Sequence, residues 1–198
     1  MNKMKFFIAT KNQHKMQEFA RILEDTDIEL INENSLDFPL EDVEETGETF
    51  EDNAILKALG GMHATGLPTI ADDSGLCVDY LGGAPGIHSA RFAGGHGDDK
   101  ANNDKLLSLL NGVDKKDRTA QFVCVIACVF PDGRRFTVMG KCEGYIDDKL
   151  NGEGGFGYDP LLVTNKGCFG TISAEEKNAI SHRGIAIKLF EEEIKKYI

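Results

Sequence analysis

Residues 119–145 constrain the fold more tightly than any other stretch of this chain. Two β-rich runs, 119–130 and 136–145, flank Pro131-Asp132-Gly133, a combination that signals a turn. An antiparallel hairpin is therefore predicted. The chain opens differently. Residues 5–10 read as a strand, and after a polar turn Met16, Phe19, Ala20 and Leu23 follow helical spacing. A second strand is expected at 28–32. A β-turn-α opening together with a hairpin predicts an α/β fold around a mixed sheet.

Between these segments the punctuation is local. Thr49 with Asp52 three residues later has the form of a helix cap, and the helix is expected to run through Ala54, Ala58 and Met62. LPTIADDSGLCVD reads as a buried strand ending at Asp72 and Asp73, and the carboxyl ends of strands are where open α/β sheets bind ligands. The glycine-rich LGGAPGIHSARFAGG reads as a long functional loop. A helix carrying Leu106, Leu107, Leu109 and Leu110 follows, capped near Asp98 or Asp99. GEGGFGYDP is a second glycine-rich loop, and Ser173 with Glu176, then Ser181, mark two final helix starts.

At 198 residues the chain fits one domain, 1–198, with room for two lobes. Its 41% hydrophobic and 28% charged residues place it among soluble globular chains rather than disordered or membrane ones. The net charge of -11 repels a nucleic-acid backbone over most of the surface, so polymeric DNA or RNA is not an expected partner. A small anion could still bind where basic residues gather or a bound cation compensates. The five cysteines show no CxxC pairing, which suggests neither a disulfide framework nor a zinc site and fits a reducing cytoplasm. No signal-like run or membrane-length apolar segment is visible in the sequence.

Several groups could carry chemistry. Thr10, Asn12 and Lys15 sit where the first strand turns into the first helix, so N–H groups, the positive helix end and an ammonium could meet a phosphate. Asn12 as a plain cap with a solvated Lys15 is the alternative. Asp72, Asp73 and Ser74 could ligate a hard cation or supply a general base, or form only an Asx turn. Neighbouring strand residues point oppositely, so one aspartate should face the site while the other supports the backbone. Glu44 and Glu45 could complete a magnesium site, although seven carboxylates in positions 41–52 could equally form a solvated face. Phe156 among glycines could stack on a base while Asp159 accepts a hydrogen bond, or fold onto the core. Lys177, His182 and Arg183 bring donors suited to purine oxygens or phosphate.

Taken in order, ATKNQHK, EETGETFEDNAILKA, IADDSGL, GGAPGIHSARFAG, GFGYDP and EEKNAISHR resemble the signature series of the Ham1-type inosine/xanthosine triphosphate pyrophosphatase family. The resemblance implies an elongated, two-lobed α/β fold around a central mixed sheet, with a substrate cleft between the lobes, assembled as a homodimer. It implies a Mg2+-dependent enzyme that hydrolyses ITP, dITP and XTP to the monophosphate and pyrophosphate. Carried over by residue, it places Thr10, Asn12 and Lys15 on phosphate. Asp73 is placed on magnesium and on the attacking water, with Ser74 on substrate beside it. A glutamate of the EET run, Glu45 in preference to Glu44, would assist the metal. Phe156, Gly157, Tyr158, Asp159, Lys177, His182 and Arg183 would enclose the base. Lys57 and Arg91 are further candidates for phosphate or dimer contacts. Lys11 and the pair Gly167-Cys168 depart from the family pattern.

Overall fold

The computed structural model describes residues 3–10, 12–24, 26–40, 42–95 and 97–198. Lys11, a departure from the family pattern, and Glu41 of the acidic run lie outside the described residues. In chain order the elements are β1 (Met4–Ile8), α1 (Gln13–Ile22), β2 (Ile28–Ile31), α2 (Phe50–Thr65), β3 (Thr69–Val78), α3 (Asp99–Leu109), β4 (Thr119–Val129), β5 (Arg135–Ile146), β6 (Leu162–Thr164), β7 (Gly167–Cys168), α4 (Ala174–Ile180) and α5 (His182–Ile194).

Seven strands form one sheet in the order β2-β1-β3-β4-β5-β6-β7. β1 runs parallel to both β2 and β3, while β5 with β6 and β6 with β7 are antiparallel. The mixed sheet of an α/β fold is thus present. At the turn between β4 and β5, Gly133 N–H donates to the Phe130 carbonyl at 3.0 Å and Phe130 N–H to the Arg134 carbonyl at 2.9 Å. So short a link can join only antiparallel neighbours, because parallel strands need a crossover of about a dozen residues.

One expectation fails instructively. β3 does not end at Asp72 and Asp73 but continues to Val78. What ends there is its neighbour: β1 pairs Phe7 with Thr69 and Ile8 with Ile70, and Ala9 N–H makes one more bond to the Ile70 carbonyl. The aspartates follow immediately, beyond the carboxyl end of β1. Aspartate is depleted in strands, so the pair reads as a stop. Here a lysine engages each carboxylate and the strand tolerates both. The loop read at 81–95 is likewise partly ordered, with 3₁₀ turns at Asp79–Leu81 and Gly86–Arg91.

The chain forms two compact units. The first comprises Met1–Asp73, Val125–Met139 and Ala186–Ile198. Its core is aromatic: Phe6 meets Phe130 edge-on at 5.8 Å, and Phe190 receives Phe19 at 6.0 Å and Phe136 at 5.5 Å. The second comprises Ser74–Cys124 and Gly140–Ile185. Leu76, Val78, Leu106, Leu110, Phe122 and Phe169 form much of its core. Among the described residues no helix is long and apolar enough to cross a membrane.

Both predicted capping boxes form. Thr49 accepts from Asp52 N–H at 3.1 Å while the Asp52 carboxylate accepts from Thr49 N–H, and Ser173 and Glu176 do the same for α4. Asp98 caps α3 and Ser181 accepts from Gly184 N–H at the start of α5. Thr49→Ala is expected to lower unfolding free energy by about 1 kcal/mol. Urea denaturation compared with wild type checks this, and an unchanged midpoint would remove the cap from the stability of α2.

Candidate active site

In the first unit the groups gather around β3. Asp72 and Asp73, adjacent on an extended strand, project to opposite faces. Lys15 of α1 reaches Asp72 at 2.7 Å, and Lys57 of α2 reaches Asp73 at 3.0 Å. The Lys57 ammonium is also 2.9 Å from Glu45, so Glu45 and Asp73 converge on one cation position. Asn53, fully buried one turn before Lys57, donates to Asp73 at 3.4 Å while its amide oxygen accepts from Gly47 N–H at 2.8 Å. That pair of bonds ties the acidic loop to the strand. Glu44 is exposed, and its backbone carbonyl accepts from Thr46 N–H at 3.1 Å. The structure therefore brings Glu45, and not Glu44, to the ammonium that Asp73 binds.

Burial raises the Asp73 carboxyl above the usual aspartate range, the Lys57 charge pulls it back, and Glu45 and Asp72 add to the rise. Burial opposes the Lys57 ammonium, yet Asp73, Glu45 and Asp72 together outweigh it and hold the lysine above its ordinary range. A carboxylate raised in this way is a stronger base than a solvated one, which suits proton abstraction.

Ahead of α1, Asn12 accepts from Lys15 N–H at 3.3 Å and Asn12 N–H donates to the Thr10 hydroxyl at 3.2 Å. Asn12 is thus a helix cap, and the same turn presents the hydroxyl of Thr10 and the helix N-terminus together. Capping and anion binding are compatible, because a helix start leaves several N–H groups without helical partners.

In the second unit Phe156 is 49% exposed, with the Lys177 ammonium 4.9 Å and the Arg183 guanidinium 5.7 Å from its ring centre. Asp159 is buried and ties the loop together, accepting from Phe156 N–H at 2.7 Å and from Lys177 at 2.5 Å. Gly155 must be glycine. A Cβ there would collide with the Asp159 carboxylate, and its φ is +78°. Arg183 is buried and donates to the Ser74 hydroxyl at 3.4 Å. The exposed ring with two cations beside it is a platform for a flat, electron-rich ligand.

Two residues expected around the base have core roles. Tyr158 is buried, and its hydroxyl donates to the Ser89 carbonyl at 2.8 Å; burial raises the phenol, and the Asp99 charge adds to the rise. His182 is buried and stacks on Phe122, ring centres 4.7 Å apart. Arg91 closes the second 3₁₀ turn and is half-buried.

The Ham1 family model matches residues 6–193. This chain belongs to the Ham1 family. A dITP/XTP pyrophosphatase of Desulforamulus reducens is 52% identical to it over 188 residues, covering 93% of this chain and 92% of that one. Among solved structures, the Ham1 protein of Staphylococcus aureus superposes with a TM-score of 0.89 at 43% identity, covering 98% of this chain and 100% of its own. A HAM1 protein from Coxiella burnetii gives 0.91 at 36% identity, covering 98% and 99%.

For this Ham1 chain, sequence reasoning overlooked Asn53 and left Lys57 on the margin. A signal existed: the two lie four apart in EDNAILKA, hence on one face of α2. Asn103 of α3 was also missed. It is 5% exposed, its amide nitrogen donates to the Gly157 carbonyl at 2.8 Å, and its amide oxygen has no hydrogen-bond partner among the described residues.

Proposed function

We propose that the chain hydrolyses non-standard purine nucleoside triphosphates, of which dITP, XTP and ITP are the expected substrates, to the monophosphate and pyrophosphate. The observation that carries this reading is the convergence of Asp73 and Glu45 on a single cation position, 3.0 and 2.9 Å from the same ammonium. Its support from relatives is the dITP/XTP pyrophosphatase that matches almost the whole chain at 52% identity.

The donor set fits magnesium. Among the described residues no group of three or more His, Cys, Asp or Glu side chains is gathered as metal ligands. Magnesium needs no such cage, since it binds through one or two carboxylates, retained waters and substrate phosphates. Asp73 and Glu45 would hold it, and when bound it would offset charge on the phosphate oxygens. Asp73 takes a proton from a water whose oxygen bonds to the α-phosphorus. The bond from that phosphorus to the bridging oxygen breaks, and pyrophosphate leaves with the electron pair. Lys57, Lys15 and the start of α1 stabilise the charge that develops, the electrostatic work phosphoryl transfer requires.

Base recognition falls to the second unit. Phe156 stacks on the purine, while Lys177 and Arg183 donate towards its oxygens. A 6-oxo purine offers an acceptor where adenine offers an amino donor, and each donor left unpaired costs about 1–3 kcal/mol, or about 5- to 150-fold in discrimination. The protein is further proposed to work as a homodimer in the cytoplasm. The five cysteines show no CxxC pairing, a pattern that suits a reducing compartment.

Pyrophosphate release from XTP, ITP, dITP and ATP tests the reading. Turnover of the 6-oxo purines well above ATP is expected, and equal rates would overturn it. In the same assay Phe156→Ala should raise KM for all of these by about tenfold, since stacking is worth about 1–3 kcal/mol for any base. Arg183→Ala should narrow the preference for ITP over ATP more than Phe156→Ala does, and an unchanged preference would remove Arg183 from selectivity.

A further inference from the structure

Three backbone groups of Phe156 and Gly157 are held by side chains. Asp159 accepts from Phe156 N–H, as described, and the other two bonds come from α3. Asp99 accepts from Gly157 N–H at 2.7 Å, and Asn103 donates to the Gly157 carbonyl at 2.8 Å. Asp99 and Asn103 are four apart, so one helix face grips both polar ends of a single residue. Gly157 has φ of +60°, a conformation that other L-residues adopt only under strain. Its geometry is therefore one that the clamp and the glycine maintain together.

Helix α3 is itself anchored. Asn102, next to Asn103 and buried, accepts from Ala93 N–H at 2.7 Å. Tyr158, next to Gly157, bonds the Ser89 carbonyl, and the Ser89 hydroxyl accepts from Leu76 N–H on β3 at 2.9 Å. The loop thus rests on a hydrogen-bonded frame, while the Phe156 ring at its tip is half exposed. Asn103, 5% exposed, directs its amide nitrogen to the Gly157 carbonyl.

We infer that Asp99 and Asn103 are positioning residues for purine recognition, which act by clamping Gly157 and so fixing the direction in which Phe156 presents its ring. The inference rests on Phe156 being the stacking surface of the proposed function. A clamp of this kind lowers the ordering cost of binding, so its loss weakens substrate binding and leaves the chemical step alone.

The test is a double-mutant cycle on the full chain with XTP as substrate. Asp99→Ala is expected to raise KM about fivefold with kcat within about twofold, the pattern of lost uniform binding. Asp99→Asn, which keeps an acceptor at the same place, should restore KM to near wild type. Asn103→Leu should behave as Asp99→Ala does, and because Asp99 is exposed the Asp99 pair decides the matter if Asn103→Leu fails to fold. In the Phe156→Ala background, Asp99→Ala should have little further effect on KM, since coupled residues are not additive. Full additivity, a fall in kcat at constant KM, or no rescue by Asp99→Asn would each overturn the inference. If Phe156→Ala raises KM and Asp99→Ala does not, the clamp alone is wrong. If Phe156→Ala leaves KM unchanged, the stacking reading fails and the clamp falls with it.

Discussion

Asp73→Asn is expected to lower kcat by about two orders of magnitude or more, the contribution of a positioned general base, while the protein still folds. Asparagine matches aspartate in shape, and its one amide oxygen can keep one of the two donors, Asn53 or Lys57, that the native carboxylate accepts on separate oxygens. What it cannot do near neutral pH is accept a proton from water. Lys57 keeps Glu45 as its second anionic partner, so no buried ammonium is left without one. Asp72→Asn is the internal control. It weakens the hold on Lys15 across the strand and should affect turnover less. Pyrophosphate release at saturating XTP, with urea denaturation to confirm folding, measures both. If Asp72→Asn proves the more damaging, the two aspartates must exchange roles.

Removing divalent ions should abolish turnover. The chain carries a net charge of -11, and its proposed base and metal ligands are carboxylates, so a polyanionic substrate meets repulsion there unless a cation intervenes. Lys57 alone does not reverse the balance, because Asp73 and Glu45 already share its single charge. After exhaustive chelation the rate should fall to background. Titrating Mg2+ back should restore it, and Mn2+ should substitute, since oxygen ligands suit both ions. Activity that persists in the chelated protein would rule out the proposed cation-holding role of Asp73 and Glu45.

Features settled by neighbours in sequence were legible from it. A cap requires only that Thr49 and Asp52, or Ser173 and Glu176, stand three apart at the start of a helix, and both boxes form. The hairpin across Pro131-Asp132-Gly133 is local in the same sense. The ordered motifs sufficed for the family, which the match over residues 6–193 bears out.

Everything that depended on residues far apart had to await the fold. Asp72 and Asp73 read as the end of a strand because charge is costly in a sheet interior, and only the ion pairs to Lys15 and Lys57, 57 and 16 positions away, make them tolerable within one. The motif resemblance favours Glu45 over Glu44 but gives no physical reason; the position of α2 does, by bringing Lys57 to Glu45. Tyr158 and His182 lie within the matched motifs, yet their rings pack in the core, because motif spacing fixes which residues occur and not which way a side chain turns. The grip of α3 on Gly157 joins residues 54 apart through a single backbone carbonyl. Any residue type supplies that group, so the sequence determined the parts and their local punctuation, while tertiary packing decided which side chains hold which backbone.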